Sequence, residues 1–165
     1  MNRPSKTEYY LNIAREVAQR STCLRRRVGA VIIRKDQIIS TGYAGAPRGT
    51  PNCIDVGSCA RVEANIPSGE RYELCRSVHA EANAIINAAR AGVSLLNGTM
   101  YIHVENLNGS ITEEANSCLM CQRIIINAGL NNVIIRQKQG FLDIPVSDWI
   151  KEDSGRIPTS KTLEE

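Results

Sequence analysis

No window of the 165-residue chain approaches the ~20 apolar residues that a membrane-spanning helix requires, and the amino-terminal stretch has no apolar segment of signal length. A helical membrane protein is excluded on this reading, and a cytoplasmic location is the expectation. A dense basic face is also lacking. The formal net charge is only +3, and the single tight basic cluster is Arg25, Arg26 and Arg27. That is too little for a protein that tracks a polynucleotide backbone, so no nucleic-acid partner is expected. Nor is there a low-complexity tract or a repeat of solenoid period. With 42% hydrophobic and 22% charged residues, the chain reads as one globular domain over residues 1–165. A domain of that length buries roughly two-thirds of the surface its unfolded chain exposes.

Cysteine is the residue present in excess. Six cysteines without a secretory signal do not make a disulfide framework, because reducing compartments keep thiols free. Metal binding or redox chemistry is the better reading.

Ser5 and Glu8 stand in capping-box relation ahead of Tyr9, Ile13, Ala14 and Val17, which predicts an amphipathic helix from about Lys6 to Gln19. Val28 to Ile33 is β-branched and apolar, Arg34-Lys35-Asp36-Gln37 is a polar turn, and Ile38 to Tyr43 resumes strand character; the pattern is a hairpin. Gly42 to Gly69 is irregular by composition and long enough to be functional or tethered. A helix over Val78 to Ala91, a strand over Thr99 to Val104, a loop to Asn116, a helix over Cys118 to Ala128 and a strand over Asn132 to Arg136 follow, with a short helix at Val146 to Glu152. This order predicts an α/β fold with helices on both faces of a mixed sheet.

The chemistry concentrates in His79-Ala80-Glu81 at one predicted helix start and Cys118-Leu119-Met120-Cys121 at another, expected to face each other across the sheet. Zinc accepts imidazole nitrogen and thiolate sulfur, and a catalytic site keeps three protein ligands and an open fourth position. His79, Cys118 and Cys121 supply that count. Helix N-termini stabilise thiolates, and zinc makes hydroxide available near neutral pH. Glu81, two positions past the imidazole, diverges from it and is placed to move protons. A His-x-Glu followed by Pro-Cys-x-x-Cys is the signature of zinc deaminases acting on an amine-bearing ring carbon, and this chain carries it with Ser117 in place of the proline. A thioredoxin-like pair at Cys118 and Cys121, or a purely structural zinc site including His79, accounts for only part of the set. Cys23, Cys53, Cys59 and Cys75 remain. Four thiolates are the complement of a second, closed zinc site, though some could be ordinary buried thiols.

Ser21-Thr22-Cys23-Leu24-Arg25-Arg26, Val28 to Val31, Gly42-Tyr43 with Gly45 and Pro47, Cys75-Arg76 with Val78 to Ile85, and Ile124 to Gly129 together resemble the zinc-dependent cytidine and deoxycytidylate deaminases. The resemblance covers roughly residues 5–136. It implies a cytidine-deaminase-like three-layer α/β/α fold with a mixed sheet of about five strands. It also implies conversion of deoxycytidylate (dCMP) to deoxyuridylate (dUMP) with release of ammonia, feeding dTTP synthesis. A catalytic zinc, a second structural zinc, a homo-oligomer (hexamer or dimer) and dCTP or dTTP as allosteric effectors belong to the same implication.

The chain departs from that family in three places. Tyr43-Ala44-Gly45 stands where the family has Tyr-Asn-Gly, Ser117 replaces the proline before the first metal cysteine, and the stretch from Val104 to Asn116 is longer and more polar. Candidate substrate contacts are Arg25 and Arg48 for a 5′-phosphate, with Tyr43, Ala44 and Asn83 near the nucleotide. Glu105, Asn106 or Asn108 are expected to replace the missing asparagine. Competing readings are a deaminase of a modified pyrimidine or another nucleobase, and a non-catalytic zinc-stabilised nucleotide-binding module.

Overall fold

The computed structural model describes residues 3–112 and 115–153. Helix α1, Lys6–Ala18, starts at the predicted capping box: the Ser5 side chain accepts from the Glu8 amide, and the Glu8 carboxylate accepts from the Ser5 amide. Strands β1, Arg26–Arg34, and β2, Gln37–Tyr43, form the antiparallel hairpin. Its turn at Lys35 and Asp36 takes positive φ at both residues, the twist that suits a tight hairpin. The long segment that follows is less irregular than its composition suggests. Helical turns α2, Cys53–Val56, and α3, Ala60–Glu63, and a 3-10 turn at Tyr72–Leu74 break it up. The Asn52 and Asp55 side chains cap α2, and Gly57 closes it at φ 75°.

Helix α4, Ala80–Arg90, then leads to β3, Thr99–Asn106; α5, Leu119–Asn127, to β4, Asn132–Arg136; and β5, Phe141–Pro145, to α6, Val146–Asp153. Among the described residues the sheet has five strands in the order β2-β1-β3-β4-β5, with β3 and β4 parallel and the other pairs antiparallel. The α5 crossover is the connection a parallel pair demands. β5 is the element the pattern reading lacks. Most of its side chains are exposed, so no apolar alternation marks it, and Pro145 is tolerated because the strand lies at the edge.

The strand alternation splits the core into two layers. Val31, Ile33, Tyr101 and Ile134 face α1 through Leu11 and Ala14. Ala30, Ile32, Met100, Ile102, Val133 and Ile135 face α4, α5 and α6 through Ala84, Ala88, Ile125 and Trp149. The predicted three-layer α/β/α arrangement is therefore present. Helices α4 and α5 are neighbours on one face of the sheet and do not oppose each other across it. Two close approaches hold the layers. A methyl group at Gly29 would sit 2.3 Å from the Ala14 carbonyl oxygen, and one at Gly42 would sit 2.2 Å from the Ala84 nitrogen. No helix among the described residues is long and apolar enough to cross a membrane.

Candidate active site

The side-by-side packing of α4 and α5 brings their N-terminal caps together. His79 caps α4 with extended backbone (φ −66°, ψ 154°), and Cys118 caps α5 in nearly the same conformation (φ −67°, ψ 158°). His79 is positioned from behind. Gly45 and Val78 exchange backbone hydrogen bonds of 3.2 and 2.8 Å, tying the residue before the histidine to the chain leaving β2. Asn83 Nδ2 donates to the Tyr43 carbonyl at 2.8 Å and to the Val78 carbonyl at 3.3 Å. Asn83 therefore secures backbone from the first turn of α4.

His79 Nδ1 lies 3.5 Å from Cys118 Sγ and 3.4 Å from Cys121 Sγ, and the three donor atoms all fall within 4.8 Å of one another. Zinc binds sulfur at about 2.3 Å and imidazole nitrogen at about 2.0–2.1 Å, so a tetrahedral ion would hold N and S about 3.6 Å apart. The donor set fits zinc by identity, by number and by spacing. Without the ion the three groups share protons among themselves. The hydrogen bond with Cys121, then that with His79, holds the Cys118 thiol down to about 4, while the same Cys118 bond and burial push Cys121 up. His79 is raised to about 10, first by Cys118 and then by Cys75. Sulfur, nitrogen and proton already form one compact cluster, whose protons metal binding would displace.

Glu81 is 6% exposed, and burial raises its carboxyl above the ordinary range. Ser117 Oγ donates to Glu81 Oε1 at 3.1 Å. Both residues stand where α4 and α5 begin, beside a cavity of about 270 Å³ lined by His79, Glu81, Cys118, Ala44, Arg25 and Asn116, among others. A carboxylate shielded from water beside three metal-ligand atoms can carry protons to and from a ligand in that cavity.

Residues 4–137 match the family model of the cytidine and deoxycytidylate deaminase zinc-binding region. The chain belongs to that family. It is 35% identical over 132 residues to the deoxycytidylate deaminase of Schizosaccharomyces pombe; the match takes in 80% of this chain but 37% of that protein. With the deoxycytidylate deaminase of Mycobacterium phage D29 it shares 34% identity over 139 residues, 81% of this chain and 96% of the phage enzyme. Among solved structures, the dCMP deaminase from the cyanophage S-TIM5 in complex with dCMP and dUMP superimposes with a TM-score of 0.59 at 23% identity. That superposition covers 83% of this chain and 85% of the other. The shared fold is the cytidine-deaminase-like sandwich with its mixed sheet.

The other predicted residues of this deaminase-family chain divide between two places. Arg25 and Ala44 line the cavity that holds Glu81. Tyr43, Arg48 and Asn83 line a neighbouring cavity of about 340 Å³, where Arg48 donates to Asn87 Oδ1 at 2.6 Å. The expectation that Glu105 replaces the missing asparagine is not met. β3 runs on to Asn106, and Glu105 faces the α1 side, buried against His103, Gln19 and Arg27. Asn106 and Asn108 are engaged with Ser110 in the turn beyond β3. Residues 113 and 114 of that stretch lie outside the described residues.

Cys23, Cys53, Cys59 and Cys75 also line the cavity that holds Glu81, and all four are free thiols. Among the described residues, the converged set of metal-ligand atoms is the one at His79. Two features escape the sequence reading. Tyr72 sets its ring edge-on to the His79 imidazole at 5.0 Å, and Arg61 is buried in the wall of the cavity. Both sit in the segment read as irregular loop, where no periodicity marks which side chains turn inward.

Proposed function

We propose that this chain is a zinc-dependent hydrolytic deaminase of a cytosine nucleotide, converting dCMP to dUMP with release of ammonia. The observation that carries the reading is one cavity holding a buried Glu81 beside His79 Nδ1 at 3.5 and 3.4 Å from two thiol sulfurs. His79, Cys118 and Cys121 would hold the ion. When bound in such an open three-ligand site, zinc acidifies water towards neutral pH and polarises the group it touches.

The protein's own part is proton movement. Glu81, as carboxylate, takes a proton from the attacking water and delivers it to the ring nitrogen next to the amine-bearing carbon. The water oxygen bonds to that carbon. Glu81 then moves the second water proton to the exocyclic amine, the carbon–nitrogen bond breaks with its electron pair on nitrogen, and ammonia departs as the carbonyl forms. Burial keeps the Glu81 carboxyl basic enough to accept the proton, and the Ser117 hydroxyl fixes the oxygen it bonds. The product nucleotide would feed dTTP synthesis.

A second, structural zinc on Cys23, Cys53, Cys59 and Cys75 belongs to the same proposal. Support comes from four free thiols in the wall of one cavity, with the Cys75 thiol lowered first by His79 and then by Arg61. A homo-oligomer is supported by Leu119, Met120 and Ile124, large apolar side chains of α5 left exposed. Control by dCTP or dTTP and a cytoplasmic location complete the reading.

The test is ammonia release by the zinc-loaded protein from dCMP, deoxycytidine, CMP and adenosine nucleotides, with Glu81→Ala as control. Release from dCMP that falls by about 10²–10⁴-fold in the variant supports the reading. Silence on every substrate would leave a zinc-stabilised binding module in its place.

A further inference from the structure

We propose that Arg61 is the anchor for the phosphate of the nucleotide; this deepens the deaminase reading above and rests on it. The charged residues lining the catalytic cavity are Arg25, Arg26, Arg61 and Arg76 against Glu63 and Glu81. A cavity of about 270 Å³ lies near the small end of pockets that take one small molecule, and its excess of guanidinium selects an anionic one.

Arg61 differs from the other three arginines. It is 3% exposed, whereas Arg25 and Arg26 are half-buried and Arg76 is exposed. Its Nη2 donates to the Pro67 carbonyl at 2.7 Å, and its guanidinium carbon lies 4.4 Å from the centroid of the Tyr72 ring. Its Nε is buried with no hydrogen-bond partner. Among the described residues Arg61 joins no ion pair. This buried guanidinium meets a neutral carbonyl, a ring face and the Cys75 thiol, keeps its Nε–H unpaired and has no carboxylate against its charge, an arrangement proteins rarely leave without an anionic partner.

The same ring links Arg61 to the metal-ligand cluster. The Tyr72 ring touches both the guanidinium, at 4.4 Å, and the His79 imidazole, at 5.0 Å. A ring in contact with both keeps the cation near the metal-ligand cluster, within the reach of a single nucleoside from its base to its 5′-phosphate. A planar fork with a free N–H matches phosphate oxygens, and stacking on Tyr72 keeps the fork from rotating away. The rival partner of this charge is the Cys75 sulfur, whose pKa Arg61 also lowers.

The deciding experiment compares wild type, Arg61→Gln and Arg61→Lys as zinc-loaded full-length proteins. Steady-state kinetics on dCMP and deoxycytidine are combined with calorimetric binding of dUMP and deoxyuridine and with zinc content. For Arg61→Gln the KM for dCMP should rise about 10- to 100-fold with kcat nearly unchanged, and the preference for dUMP over deoxyuridine should shrink by the same factor. Deoxycytidine turnover and zinc per chain should stay as in wild type. Equal losses on nucleotide and nucleoside, or a drop in zinc with the nucleotide preference intact, overturns the phosphate anchor and assigns Arg61 to Cys75. If Arg61→Gln does not fold, Arg61→Lys decides, because it keeps the charge and loses the fork. An unchanged KM for dCMP in that variant also overturns the proposal. A wild-type protein that releases no ammonia sinks the deaminase reading, while the two binding constants still judge Arg61 alone.

Discussion

Ser117 Oγ stands 3.1 Å from Glu81 Oε1, and both side chains are buried. At this position the chain departs from the proline of the deaminase pattern, and the hydroxyl gives the Glu81 carboxylate a donor that a proline ring cannot offer. Hydrogen bonds to charged groups are worth about 1.5–3 kcal/mol. Ser117→Ala is therefore expected to lower kcat by about 10-fold, with KM for the nucleotide little changed. Steady-state ammonia release checks this, and equal kcat in the two proteins would show that Glu81 does not use the bond.

Metal loading gives a second expectation. His79, Cys118 and Cys121 make one converged site, and Cys23, Cys53, Cys59 and Cys75 offer a second set of thiols. Elemental analysis should return about two zinc ions per chain, the complement of one open and one closed site. Cys118→Ser should lose one ion and nearly all activity; Cys59→Ser should lose the other and unfold at a lower temperature. A wild-type value near one per chain would remove the structural zinc from the account.

How much of this was legible before the fold depends on whether a residue's role is local or topological. Ser5 and Glu8 announce the start of α1 because a capping box lies within four consecutive residues. His79, Glu81, Cys118 and Cys121 were readable because zinc chemistry admits few donor types at few spacings. Glu105 misled, since a charged residue after an apolar strand reads as loop, whereas here it continues β3 and meets a buried histidine. β5 was hidden by its exposed side chains. Arg61 was invisible for a different reason. Only the folding of residues 50–77 onto the cavity turns that arginine, rather than Arg48 or Arg71, into a buried one.

Gly42 links the fold to the site. A methyl group there would lie 2.2 Å from the Ala84 nitrogen and 2.4 Å from the Ala80 carbonyl oxygen, both backbone atoms of α4. No side-chain rotation relieves such a contact, so α4 must retreat from β2 and carry His79 with it. Gly42→Ala is expected to destabilise the protein by about 3 kcal/mol or more and to weaken zinc binding together with it. Denaturant titration and zinc competition measure the two effects. Normal stability would mean that the approach of α4 to β2 is looser than 2.2 Å implies.

The face of the sheet opposite the His79 cluster carries a second titrating pair. His103 is 1% exposed, its Nε2 lies 2.9 Å from Glu105 Oε2, and Gln19 and Arg27 bond the other carboxylate oxygen. Burial lowers the His103 pKa against the pull of the carboxylate; Arg136 and Arg15 add a smaller push in the same direction. For Glu105, burial is the largest influence and acts upward, but the bonds from His103, Gln19 and Arg27 together bring the pKa below the ordinary value. In both groups the folded pKa lies below the unfolded one, so the folded state binds fewer protons in acid and stability rises with pH. The histidine contribution is complete above about pH 6.5 and is lost as pH falls below it, and the carboxylate contribution follows below about pH 4.3. At fixed metal loading, wild type should therefore lose stability from pH 7 to pH 5 more steeply than His103→Gln, by up to about 1.4 kcal/mol per pH unit. The variant should be the less stable protein at pH 8, because its amide packs less well against Glu105. Thermal unfolding of both proteins across pH 5–8 tests the sign, and parallel curves would mean that His103 does not change its charge on unfolding.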